Sequence, residues 1–201
     1  MAKIHDNEPA GVRDNILAVG QRIMSGKGFS AVGLNEILAA ANVPKGSFYH
    51  YFGSKDAFGE ALLARYFDDY LADMDRILGR SGATAAHCIM DYFDAWRANQ
   101  SFQDCQGKCL AVKLAAEVAD LSDAMRAVLD RGTAAIIARL AAVLDRGVAD
   151  HSLAIDDRAE EVAASLYQLW LGASVMVKIV RGTGPFDSAM AVTGQLLHLD
   201  G

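Results

Sequence analysis

The stretch VPKGSFYHYF, Val43 to Phe52, decides how this chain is read. It crowds four aromatics, a histidine and a lysine behind a Pro and a Gly, in a segment too short to hold a helix alone. Just before it, Leu34, Ile37, Leu38 and Ala41 share one face of a short helix that follows Gly33. Asn42-Val43-Pro44 ends that helix, because Pro lacks the amide donor and pushes its predecessor out of the helical region. Two short helices joined by a tight turn, the second opening with small and basic residues, form the pattern of a helix-turn-helix. In that motif the second helix enters the major groove and the first braces it across the backbone.

The residue types suit such contacts. Lys45 is a point charge near a helix start, where the dipole and backbone amides also favour an anion. Ser47, Tyr49 and His50 can donate to phosphate or sugar, and Lys55 can do the same at the start of the next helix. Phe48, Tyr51 and Phe52 are expected to pack inward against Ile37, Leu38 and Phe58. Spacing alone accommodates a blander arrangement equally well, in which the aromatics fill a small core and the polar residues are solvated.

Outward from this segment, apolar positions recur at helical spacing and no strand-like alternation is evident, so the fold class is all-α. A first helix is predicted from near Pro9 to the Gly-rich SGKGF. A fourth, long helix begins near Ser54 as N-cap with Asp56 in its first turn. Further helices are predicted around 84–101, 107–118, 122–147, 157–181 and 186–199, punctuated by Gly/Asp/Ser clusters. The expected division is a three-helix DNA-binding domain over 1–53 and a helical bundle for sensing and dimerisation over 54–201.

Composition is that of a globular protein: 52% of the 201 residues are hydrophobic and 22% charged, which excludes disorder for most of the length. The net charge of -6 speaks against nucleic acid, but it is unevenly spread. Residues 1–56 carry six Lys/Arg against five acids, and the remainder thirteen against twenty, so only the near-neutral head tolerates a polyanion. No apolar run is read as reaching a membrane span, and the first residues lack the apolar core of a signal peptide, so no membrane association and a cytoplasmic location are expected. Cys88, Cys105 and Cys109 are expected to be free thiols in a reducing compartment.

The segment GFSAVGLNEILAAANVPKGSFYHYFGSKDAFGEALL resembles the DNA-binding region of the TetR family of transcriptional repressors, over about residues 12–65. Gly28, Phe29, Ile37, Ala41, Val43, Lys45, Gly46, Tyr49, Phe52 and Lys55 fall in register with that family. The resemblance implies an all-helical protein with a three-helix reading head and a larger bundle that binds an inducer and dimerises. It departs from the family where hydroxyl residues usually open the second helix: this chain has Val32 and Gly33, so phosphate there must be met by backbone amides. Asn42 replaces a usual Gly, which Asn tolerates because it enters the left-handed region more readily than most residues.

In the body, Cys109 lies beside Lys108 with Lys113 one turn on; cations and a positive helix end favour the reactive thiolate, although free cysteine commonly serves as a small buried hydrophobe. Cys88 has no neighbouring cation in sequence and is assigned a structural role. The segment CLAVKLAAEVADLSDAMR, with LYQLWLGASVMVKIVR later, is similar to the NemR-type subgroup, repressors responsive to electrophiles and reactive chlorine. That likeness implies Cys109 as the sensing residue and Lys178 as a cooperating lysine. Lys178 sits within an apolar helix, where partial burial would lower an amine's pKa, or its head would snorkel to the surface. The subgroup carries Gly directly before the sensing cysteine; here Lys108 stands there and the glycine is Gly107. Cys105 is additional, a candidate resolving thiol whose pairing with Cys109 would require local unwinding.

Val162, Leu166, Leu169, Trp170 and Ala173, with Met190, Val192, Leu196 and Leu197, form broad apolar faces on the last two helices. The resemblance assigns them to a dimer interface; they could also fill the monomer's own core. A two-fold homodimer predicts double-stranded DNA with a palindromic operator. The inducer is expected to be a small electrophile or oxidant, or alternatively an apolar molecule bound non-covalently beside Phe93, Trp96, Met125 and Trp170. No cofactor or metal is expected. A thiol enzyme is the competing class, but the chain offers no Cys-x-x-Cys, phosphate-cradling Gly loop or zinc-ligand spacing, so it is read as a non-enzyme.

Overall fold

The computed structural model describes residues 9–99 and 110–199, with side chains described for 11–99 and 114–199. Cys105 and Cys109 lie outside the described residues. The described residues form nine helices and no strand: α1 Pro9–Lys27, α2 Leu34–Ala41, α3 Lys45–Phe52, α4 Lys55–Leu78, α5 Ala85–Asn99, α6 Leu110–Leu121, α7 Asp123–Ala149, α8 Ala159–Val180 and α9 Gly184–Leu196. They gather into two compact units, one bounded by Met1–Tyr66 with Cys109–Leu129, the other by Phe67–Lys108 with Asp130–Gly201.

Local chemistry explains the helix ends. Ser54 caps α4, its Oγ accepting the Ala57 amide at 3.0 Å, and Asp56 occupies the first turn as expected. Asn42 closes α2 in the left-handed region at φ 54°, and its amide donates back to Ala39. The last helix starts earlier than expected, at Gly184, because Pro185 suits a first turn where no amide is needed.

In the first unit, Ile16, Leu17 and Met24 of α1 share a core with Ile37, Phe48, Phe58 and Leu62, all essentially inaccessible. Phe48, Phe52 and Phe58 meet with ring centroids 5.0–5.3 Å apart. Tyr51 is only half-buried, less than its expected inward packing, with its ring edge-on to His50 and 6.3 Å from that of Phe52, because it lies on the flank of the face that Phe48 and Phe52 bury.

The second unit is built on stacked aromatics. Trp170 of α8 lies between Phe93 of α5 and Phe186 of α9, with centroids 4.6 and 5.7 Å away. The indole N–H of Trp96 donates to Ser174 Oγ at 2.9 Å. On α7, Gly132 lets the Phe67 ring approach so closely that a Cβ there would sit 2.4 Å from it. The N-terminus of α5 is capped across the chain by the loop after α7: Ala85 N–H donates to Asp150 Oδ2 and Ala86 N–H to Ser152 Oγ, each at 3.0 Å. Cys88 is buried on α5.

Helix α8 corrects one reading. By length and composition it is apolar enough to cross a membrane, since Glu160, Glu161 and Lys178 lie towards its ends. Val162, Leu166, Trp170 and Val177 are buried in the protein, as in the core helix of a folded bundle.

Candidate nucleic-acid interface

The turn between α2 and α3 runs from Asn42 to Pro44, and Pro44, extended at φ -69° and ψ 152°, starts α3. Asn15 on α1 donates its side-chain amide to Ala41 O at 3.0 Å, steadying the end of α2. Lys27 pairs with Glu36 at 2.5 Å, tying the end of α1 to the first turn of α2. Phe48 and Phe52 root α3 in the core, so its remaining side chains are pointed outward by helical geometry.

Those outward side chains are the ones the sequence singled out. Tyr49 is 46% exposed, and Lys45, Gly46 and His50 are exposed, with Ser47 half-buried between them. The Lys45 ammonium lies 5.8 Å from the Tyr49 ring centre, one turn away, making a joint cationic and aromatic edge. Gly33 begins α2 in extended conformation without a side-chain cap, and Val32 beside it is buried. Space around Gly33 and Gly46 is open, so the backbone at both is approachable. A shallow groove lined by Leu38, Ala39, Asn42, Val43, Pro44 and Lys45 adjoins this face.

Lys55 has additional work within the protein. Its ammonium donates to Phe29 O at 2.9 Å and lies 4.6 Å over the Phe29 ring. On the other side of the same turn, Glu117 of α6 accepts the Phe29 amide at 3.0 Å and the Ser30 amide at 2.6 Å. Partial desolvation of Glu117 opposes its ionisation. The hydrogen bonds from Ser30 and Phe29, with the charge of Lys55, outweigh that and hold its carboxyl below the ordinary glutamate range. Sequence reading passed over Glu117; in LAVKLAAEVADL it shares the helix with Lys113 and Asp120, and nothing in that spacing marks it out.

On α8, Lys178 is exposed, which is the second of the two outcomes that its sequence allowed, a lysine reaching the surface from an apolar helix. Most of the apolar positions expected at a dimer face instead fill the unit's core: Val162, Leu166, Trp170, Ala173 and Leu197 are buried. The exposed apolar face is carried by Val175, Met176, Ile179 and Val180 on α8 and by Val192 and Leu196 on α9. Helical spacing carries it as a second stripe offset from the first, with nothing in the spacing to say which of the two is covered. Of the residues considered for an inducer pocket, Phe93, Trp96 and Trp170 pack on one another, and both indole N–H groups are taken by protein hydroxyls. Met125 is buried in the first unit, facing Gly59.

Comparison with known proteins extends the resemblance to nearly the whole chain. Residues 16–62 match "Bacterial regulatory proteins, tetR family", and residues 86–193 match "Tetracyclin repressor-like, C-terminal domain". The HTH-type transcriptional repressor NemR of Escherichia coli K12 is 38% identical over 89% of this chain and 90% of its own. The HTH-type transcriptional repressor DhaR of Mycobacterium sp. GP1 is 30% identical over 92% of each. The crystal structure of the reduced form of E. coli NemR superposes with a TM-score of 0.88 at 39% identity, covering 93% of this chain and 97% of that one. With an exposed α3 set on a buried aromatic root and this breadth of similarity, the chain belongs to the TetR family of bacterial regulatory proteins.

Proposed function

We propose that the protein is a dimeric DNA-binding transcriptional repressor that is released from its operator when Cys109 is modified by an electrophile or oxidant. The observation that carries the DNA-binding part is the exposure of Lys45, Tyr49 and His50 on α3 above the buried Phe48 and Phe52. Gly33, Gly46, Ser47 and Lys55 complete the contact set, Lys55 reaching phosphate with the ammonium protons that Phe29 leaves over. The protein acts as a regulator rather than an enzyme, in the cytoplasm where its DNA lies.

The sensing part rests on similarity to a repressor whose solved structure is described as a reduced form, and on the cations that flank Cys109 in sequence. Cys105 is assigned as resolving thiol and Lys178 as a cooperating amine. Dimerisation through the exposed apolar face of α8 and α9 sets two reading heads on a palindromic operator, and release requires that modified and unmodified forms prefer different separations of those heads.

The test is a mobility shift with a duplex selected from a random pool by the reduced protein. Hypochlorite or a maleimide should abolish the shift for wild type and leave it for Cys109→Ser. Full binding by quantitatively modified wild type defeats the sensing role, and selection of no duplex defeats the repressor.

A further inference from the structure

We propose that Glu117 is a positioning residue for operator binding: from α6 its carboxylate holds the α1–α2 turn, and so sets the entrance of α2 against the DNA. This rests on the DNA-binding reading above.

The two carboxylate oxygens are divided between two consecutive amides, Oε2 receiving Phe29 N–H at 3.0 Å and Oε1 receiving Ser30 N–H at 2.6 Å. Gly28, at φ +92°, supplies the left-handed bend before them; a Cβ on it would lie 3.0 Å from Oε2. Behind the turn, Lys55 takes the Phe29 carbonyl at 2.9 Å. Phe29 is therefore held at its amide by an anion and at its carbonyl by a cation. Such charge-assisted bonds are about twice as strong as neutral ones. The turn leads through buried Val32 to Gly33, and α2 has no side-chain cap of its own to fix where it starts. The clamp therefore fixes the chain entering α2, alongside the Lys27–Glu36 pair at its first turn.

A residue serving only to solubilise α6 would have no reason to match two adjacent amides in this way. Glu117 lies about two helical turns beyond Leu110, where α6 begins directly after Cys109 in sequence. A shift of α6 would therefore reach the entrance of α2 without altering any DNA contact itself.

The experiment compares wild type, Glu117→Gln and Glu117→Ala on the selected duplex across salt concentrations, with amide hydrogen exchange on the free proteins. Gln keeps the shape but turns an NH2 towards one of the two amides. Operator affinity should fall on the order of tenfold for both variants, since a charge-assisted pair is lost without loss of a phosphate contact. The slope of log affinity against log salt should stay unchanged. Phe29 and Ser30 should exchange faster, while Ala85 and Ala86 at the α5 cap retain their protection. Unaltered affinity, a changed salt slope, or unaltered exchange at Phe29 and Ser30 overturns the proposal, as does loss of protection throughout the chain in both variants. Selection of no duplex by wild type overturns the repressor reading and this role together; selection with unimpaired Glu117→Gln overturns this role alone.

Discussion

The indole of Trp170 lies nearly parallel to the ring of Phe93, 16° apart, while its N–H donates to Thr193 Oγ1 at 3.0 Å. Thr193 in turn donates to Ala189 O one turn back on α9, so a buried donor and a buried hydroxyl are satisfied together. Replacing Thr193 by Val keeps the volume but strands the indole N–H. The expected cost is roughly 1–3 kcal/mol, read by chemical denaturation. A variant as stable as wild type would mean that Trp170 finds another acceptor.

The cap that Asp150 places on α5 carries a pH signature. The Ser152 side chain, then the Ala85 amide, hold the Asp150 carboxyl below the ordinary aspartate value of 3.8, with smaller contributions from the Ser152 amide and Arg146 against a desolvation penalty. A depressed folded-state pKa contributes stability above the unfolded value, lost as pH falls through the folded one. Asp150→Asn should therefore lower Tm at pH 7, and the gap to wild type should narrow below about pH 3.8. A gap constant from pH 7 to pH 3 would contradict the role of the charge.

Ile179, 66% exposed among Val175, Met176 and Val180, is the residue most in need of a cover. In a two-fold interface Ile179→Glu brings two like charges near each other, so sedimentation should show monomer where wild type is dimer. Operator affinity should fall by about 10²–10⁴ as the two heads become independent. A variant that remains dimeric would place the interface elsewhere.

Lys45 is exposed at the start of α3, with Tyr49 beside it. Lys45→Ala should weaken binding to selected and random duplexes alike, and should reduce the salt slope by about 0.9 for each protomer bound. A loss confined to the selected duplex would instead make Lys45 a reader of bases.

Much of this was legible in the chain. The Asn42-Val43-Pro44 break, the Ser54 cap and the apolar spacing of α1 and α2 are local signals, and local signals survive without knowledge of what packs on them. The outward set Lys45, Tyr49 and His50 was legible for the same reason, since a helix rooted by Phe48 and Phe52 has one free face. The sides of α8 were not. Its sequence is apolar nearly all round, so periodicity could not say which stripe meets α5 and α9 and which is left bare.

Composition and turn chemistry were enough to specify helices, their order and the reading head, because those depend on backbone preference and on residues within a turn of one another. Pairings across long separations were settled only by folding: Glu117 with Ser30, Asp150 with Ala85, and Trp170 with Thr193. Each joins a polar group to one between 23 and 87 positions away, and no periodicity links such partners. They meet because burying the apolar faces brings their helices together, leaving each donor to find the acceptor that arrives beside it.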